Sequence, residues 1–250
     1  MNRFFSLLKK ELRTCFFSPI AFVVMFFFWV LTGGNFMLLL YQLANGEPLT
    51  MATQWMFGGP LVSFSLPVVV PLITMRLFAE ERKLGTLEAL LTTSLRVPEL
   101  VIAKFLGALV FYTVLWLPIF AYAYIQSRLS PMGNLPFPDV GALQAGALGV
   151  MLVGAFYISI GLLMSSLTSN QIVAAIAGFA ILFGTFLMGA YMAYTAASPS
   201  ARIVGQYFSS SAHMLDFARG IVDSRTVVLY LSCTIWVLFA SIRVVEFNRA

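Results

Sequence analysis

Charge is scarce in this chain. Only 10% of its 250 residues are Asp, Glu, Lys or Arg, against 60% that are apolar, and the mean hydropathy is +0.91. Soluble domains carry roughly 25% charged residues, so a water-soluble fold is excluded and a polytopic membrane protein implied. Cysteine is nearly absent: Cys15 and Cys233 make no disulfide framework and no CxxC pair, and both read as small apolar fillers. The single histidine, His213, has too few companions for a metal site and leaves an intramembrane hydrolase without its ligands or base. No Gly-x-x-x-x-Gly-Lys-Ser/Thr occurs, so the chain lacks a P-loop for ATP. Nor does an ionisable residue fall in the middle of an apolar run, where proton-driven carriers usually place one.

What the sequence has instead is long apolar runs. A helix needs roughly 20 apolar residues to cross the hydrocarbon core. Six runs qualify: Ile20–Leu43, Gly58–Thr74, Leu100–Ile125, Leu143–Leu167, Ile172–Tyr194 and Val227–Val244. The expected fold class is therefore an all-α polytopic membrane protein, one transmembrane domain over residues 1–250. Ahead of the first run, residues 1–17 predict an amphipathic interfacial helix, with Phe4, Phe5, Leu8, Leu12 and Phe16 on one side and Arg3, Lys9, Lys10 and Arg13 on the other. A long amphipathic lead without a small-residue cleavage site does not read as a cleavable signal peptide.

Six spans put both termini on one side. Eleven of the 15 lysines and arginines fall there: Arg3, Lys9, Lys10, Arg13, Arg76, Arg82, Lys83, Arg96, Lys104, Arg243 and Arg249. Arg128, Arg202, Arg219 and Arg225 fall opposite. The positive-inside rule makes the first side cytoplasmic, and the net charge of +5 reflects topology, with no nucleic-acid site read into it.

Within the spans, Gly33, Gly34 and Asn35 interrupt the first with polarity, which suits either a translocation path or close helix packing. Pro60, Pro67 and Pro71 predict a kinked second span, whose freed carbonyls neighbouring helices or the Ser63 and Ser65 hydroxyls can satisfy. Tyr112, Trp116, Tyr122 and Tyr124 read chiefly as an outer aromatic belt, and Ser127–Asp139 as an external turn region. Gly141, Ala145 and Gly149, with Gly146 and Gly154 beside them, predict a tight helix interface. Asn170 and Gln171 are placed to cap the fifth helix. Residues 197–225 predict two short amphipathic helices separated by the Ser209–Ser211 run, with His213, Asp216, Arg219 and Asp223 on the polar face.

The longest charged segment is Met75–Lys104, with Arg76, Glu80, Glu81, Arg82, Lys83, Glu88, Arg96, Glu99 and Lys104. The pattern predicts a short helix to Lys83, a stop at Gly85, a second helix capped by Thr86, and a third opening at Pro98–Glu99. Leu84, Leu87, Leu90 and Leu91 recur at helical spacing and leave Glu80, Glu81 and Glu88 available outside. Alone, such a segment reads as a solvated loop that fixes topology, or as an elbow that docks a partner.

Residues Pro71–Ala108, PLITMRLFAEERKLGTLEALLTTSLRVPELVIAKFLGA, resemble the signature of ABC-2-type transporter permeases. The shared order is a span ending in a basic residue, an acidic pair, Gly-Thr-Leu-Glu, a leucine run and a Pro-led helix ending in Lys. The match is nearest the gliding-motility and copper-site-maturation branch and extends over nearly the whole chain. The resemblance implies an exporter subunit in a bacterial cytoplasmic (inner) membrane, paired with a second permease chain, identical or related, and with two copies of a cytosolic ATPase. ATP and Mg would be bound by that ATPase, and no cofactor by this chain. It further implies that residues 75–99 are the coupling loop, with Glu80, Glu81, Arg82, Gly85, Thr86, Leu87 and Glu88 meeting the ATPase. By the same resemblance, residues 197–225 are re-entrant helices at the outer mouth, and Asn170 lies near the cytoplasmic gate. Asn35, Pro67, Pro71, Asn170, His213 and Asp216 are the pathway or gate candidates. Few polar residues in the spans suit a lipid-linked, polymeric or hydrophobic cargo. A non-transporting scaffold that docks a cytosolic partner through the same elbow is the competing reading.

Overall fold

The structure, a computed structural model, describes residues 2–45, 52–87, 96–129, 139–195 and 199–247. Among these, every regular element is a helix: α1 (Asn2–Phe16), α2 (Pro19–Ala44), α3 (Ala52–Gly58), α4 (Pro60–Thr74), α5 (Arg76–Lys83), α6 (Val97–Leu115), α7 (Leu117–Leu129), α8 (Val140–Leu167), α9 (Gln171–Thr195), α10 (Pro199–Phe208), α11 (Ser210–Ala218) and α12 (Ser224–Phe247). Six helical stretches are long and apolar enough to cross a membrane: Pro19–Ala44, Ala52–Lys83, Val97–Arg128, Val140–Leu167, Gln171–Gly189 and Ser224–Phe247. The all-α, six-span expectation therefore holds, with the second and third spans both longer than the sequence suggested and broken.

The break in the third span follows from proline. In the third span Pro118 has no N–H for the Val114 carbonyl, and the Ile119 N–H turns to Trp116 O, 3.2 Å. That leaves the Leu115 carbonyl, and Trp29 Nε1 of α2 donates to it at 3.2 Å. The second span is interrupted at Gly59 and Met75. Its hydroxyls bond Gly58 O from Ser63 and Val62 O from Ser65, carbonyls other than those the Pro67 and Pro71 rings deprive of donors. Both prolines are buried.

Helix α8 is the hub, and its glycines explain why. A Cβ on Gly146 would lie 2.5 Å from the Phe57 ring of α3, and one on Gly149 would lie 2.6 Å from Phe217 of α11. At Gly154 it would overlap the Tyr112 ring of α6, and at Gly161 the Thr74 side chain of α4. The expected single small-residue interface is thus a series of separate sockets around one helix, each seating a side chain from a different neighbour. Gly141 is no socket; its neighbour is its own N-cap, Asp139.

Two aromatic expectations change. Tyr112 and Trp116 are buried, and Tyr112 donates to Val150 O at 3.4 Å. Tyr122 stacks on Phe36 with centroids 4.9 Å apart, and Tyr124 stays exposed. Most of the supposed belt is core, since aromatic rings fill helix interfaces as readily as they anchor in headgroups.

Candidate functional site

The charged elbow folds largely as its punctuation requires. Helix α5 ends at Lys83, and Gly85 follows with φ +69°, the left-handed conformation that costs a residue with a Cβ about 1 kcal/mol. Its N–H donates to Arg82 O at 3.1 Å. Gly85→Ala is expected to loosen the end of α5, although a methyl there would touch nothing. Faster amide exchange over α5 checks it. The Thr86 hydroxyl donates back to Glu81 O at 3.3 Å, and the N–H groups it was expected to cap lie outside the described residues. At the next helix the Glu99 carboxylate accepts from the Arg96 N–H, 3.2 Å, with Pro98 in the first turn of α6. Glu88, Leu90 and Leu91, most of Ser127–Asp139 and Arg249 lie outside the described residues.

Elbow and bundle are joined by ions. Lys104 of α6, only 1% exposed, has its Nζ 2.9 Å from Glu81 Oε2 of α5 and 3.2 Å from Glu11 Oε2 of α1. Glu11 is itself 3% exposed. Lys10 closes the cluster, 3.1 Å from Glu81 Oε1 and 3.6 Å from Glu11 Oε1. Burial alone would lower the Lys10 pKa, but the Glu81 and Glu11 carboxylates outweigh it and hold the pKa above its ordinary value. Lys104 also sits 5.3 Å from the centroid of the Phe78 ring. Two carboxylates and two ammonium groups thus balance at the meeting point of three helices, the condition under which buried charge is tolerated.

Two further side chains hold α5. Arg76 grips Glu80 through Nε and Nη2, both 2.7 Å, and reaches Ser18 at the start of α2 through Nη1. Ser165, fully buried near the end of α8, accepts from the Phe78 and Ala79 N–H groups at 3.0 and 3.1 Å and donates to Met75 O at 3.0 Å. One hydroxyl therefore supplies the cap that α5 lacks in its own sequence.

This arrangement corrects the sequence reading in named places. Glu81 faces the bundle rather than standing outside it; Lys104 is an interior cation, not a surface one; and on α1 it is Leu7 and Glu11 that occupy the line buried against the bundle. Among the described residues, Lys83, Leu84, Gly85 and Thr86 are exposed, with Glu80 and Arg82 partly so.

The pathway candidates do not converge. Asn35 is buried, donating from Nδ2 to Trp55 O and filling the space at Gly59, which is packing within the chain. Pro67 and Pro71 are interior, and Pro71 lies against Gly178 of α9. Asn170 is a cap, its Oδ1 accepting from the Ile172 N–H at 2.9 Å.

The two short helices after α9 are present, with Ser209 capping α11 by accepting from Ala212 N–H at 3.3 Å. His213, however, turns away from the polar face. It is buried with Nδ1 3.0 Å from the Tyr230 hydroxyl of α12, while Asp216 and Arg219 stay half exposed in a loose 3.9 Å pair. Burial lowers the His213 pKa below its ordinary 6.5, against the opposing pull of Asp216 and Asp223. The folded chain then takes up the proton less readily than the unfolded one. The stability from His213 is full above about pH 6.5 and declines as the pH falls through and below it. Acidification from about pH 7 to about pH 5 should lower the unfolding temperature of the native chain more than that of His213→Gln, as a thermal scan will show.

No curated protein matches the chain. The profile of the ABC-2 family transporter proteins matches residues 40–242, from the end of α2 to the last turns of α12, and so includes the elbow and all the α8 sockets. With six apolar spans around a clamped charged elbow, the chain belongs to the ABC-2 transporter family, as a multi-pass membrane permease component of an ABC transporter.

Proposed function

We propose that the chain is the permease half of an ATP-driven exporter in a bacterial cytoplasmic membrane, with both termini and the elbow in the cytoplasm. Two such chains, or this chain and a related one, enclose the path, and two separate ATPase subunits supply the work. The single observation that carries this reading is the clamping of α5 from three directions: to α1 and α6 by the Glu81–Lys104–Glu11 cluster, to α2 by Arg76–Ser18, and to α8 by Ser165. A push on such an element moves the bundle with it, whereas a solvated loop would absorb the push.

The clamp divides the coupling residues into two roles. Glu81, with Arg76 and Glu80 beside it, transmits; Leu84, Gly85 and Thr86, continuing toward Glu88, meet the ATPase. Leu84 is 67% exposed just past the end of α5, an apolar side chain displayed among polar neighbours and suited to a partner's pocket. ATPase closure becomes a shift between inward-facing and outward-facing populations because binding energy is spent on one of two packings. Helices α10 and α11 close the outer mouth as re-entrant elements. The cargo is apolar or carries an apolar anchor.

Purification from the native host in mild detergent, with a tag at the C-terminus, tests the reading. A P-loop ATPase is expected in roughly equal amount to the permease. Leu84→Asp should lower its recovery about tenfold, the effect of losing one well-buried apolar anchor, without changing membrane insertion. If no ATPase is recovered while a control ABC complex survives the same conditions, the scaffold reading replaces this one.

A further inference from the structure

Beside the ion cluster lies a cavity of about 340 Å³, within the size range of small-molecule sites. Its two ends differ in chemistry. One end is ringed by three cations, Lys10, Arg76 and Lys104, and three carboxylates, Glu11, Glu80 and Glu81. The other is apolar, formed by Ile20 and Val24 in the first turns of α2, Leu72 and Ile73 in the last turn of α4, and Phe111 of α6. Phe111 follows Lys104 by seven positions, so on a helix rising 1.5 Å per residue the apolar part reaches about 10 Å below the ionic ring.

The location decides what can enter. The ionic ring sits where α1, an amphipathic helix, meets the ends of three apolar spans; the topology proposed above puts that point at headgroup depth and the apolar end in hydrocarbon. A soluble anion would meet as many carboxylates as cations there. A pure hydrocarbon would strip the remaining water from the partly exposed Lys10–Glu81 and Arg76–Glu80 pairs without replacing its hydrogen bonds, which is costly. A molecule with linked positive and negative charges above an apolar chain satisfies both ends.

We propose that this cavity holds one zwitterionic aminophospholipid of the adjoining leaflet, its phosphate toward Lys10 and Arg76, its ammonium toward Glu80, and an acyl chain against Ile20, Val24, Ile73 and Phe111. The lipid wedges between α1 and the elbow and so forms part of the clamp. This assignment needs the membrane placement of the chain but not the ATPase reading.

The test uses the full chain carrying Cys233→Ser, which leaves Cys15, a lining residue of the cavity, as its one thiol. The protein is reconstituted in nanodiscs of equal parts phosphatidylethanolamine and phosphatidylglycerol, extracted in mild detergent and weighed by native mass spectrometry. One phosphatidylethanolamine per chain is expected to remain, about tenfold over phosphatidylglycerol, the discrimination one charge-assisted hydrogen bond supplies. Ile20→Trp and Ile73→Trp, each growing into the cavity from a partly exposed position, should lower retention about tenfold. Alkylation of Cys15 should be slower in phosphatidylethanolamine discs than in phosphatidylglycerol discs, and this reading stands if the tryptophan variants fail to fold. No retained lipid, equal retention of both headgroups, retention unchanged by tryptophan in folded variants, or equal Cys15 alkylation in the two lipids would overturn the proposal. ATPase recovery, measured on preparations from the native host, fails or succeeds separately.

Discussion

Lys104→Met is expected to destabilise the folded chain by about 3–5 kcal/mol, because it leaves the Glu11 carboxylate buried with only the more distant Lys10. Met keeps the length and the apolar stem, so the loss reports charge and not volume. The unfolding temperature in detergent should fall by roughly 10 °C. Glu11→Gln added to Lys104→Met should recover more than half of the loss, because Glu81 retains Lys10 at 3.1 Å and the remaining buried amide is far cheaper than a lone carboxylate. If the single variant were neutral, the Lys104 cluster could not be what fixes α5 to α1 and α6.

Gly154→Ala is the second large effect. The added methyl would overlap the ring of Tyr112, which is fully buried, packed on Trp116 with centroids 6.1 Å apart and tied to Val150 O. With no free direction for the ring, α6 must separate from α8, at a cost of about 2–3 kcal/mol. Gly184 is the contrasting site, since a Cβ there meets nothing within 4 Å, and Gly184→Ala should leave the unfolding temperature unchanged or slightly raised. Parallel thermal scans of the two variants give the comparison. Tyr112→Leu combined with Gly154→Ala should restore part of the loss by emptying the socket.

The features that could be read in advance share one cause. Each is enforced by its own neighbours in sequence: six apolar runs, the Gly85 stop, the Pro98–Glu99 helix start, the Asn170 cap, and the two short helices either side of Ser209. The features that could not be read depend on partners distant in the chain. Glu11 had no place in the reading of the first helix, yet it shares a line with Leu7 and Cys15 at four-residue spacing, the face α1 turns inward. Lys104 looked like the last cation of the elbow, yet it continues the buried series Val97, Leu100, Val101, Phe105 and Ala108. One acid and one base, each alone on an otherwise apolar helical line, were the available signal.

A second limit is physical. In a membrane protein the faces toward lipid and toward other helices are both apolar, so composition identifies a span without showing which side packs. That is why Tyr112 and Trp116 read as an outer belt, why Asn35 suited a pathway and helix packing alike, and why His213 read as part of a polar face. Ser165 was hidden for a related reason, since a serine near a helix end usually serves its own helix and this one caps another.

The central claim is that the elbow, and specifically the surface around Leu84, is where the ATPase pushes. A photoreactive amino acid placed at Leu84, and separately at Phe208 in α10, tests it in intact cells. Illumination should join the Leu84 position to a P-loop ATPase identifiable by mass spectrometry and give no such product from Phe208. An ATPase adduct from Phe208, or none from Leu84 in cells where the ATPase is expressed and co-purifies, would contradict both the assigned topology and the coupling role of the elbow.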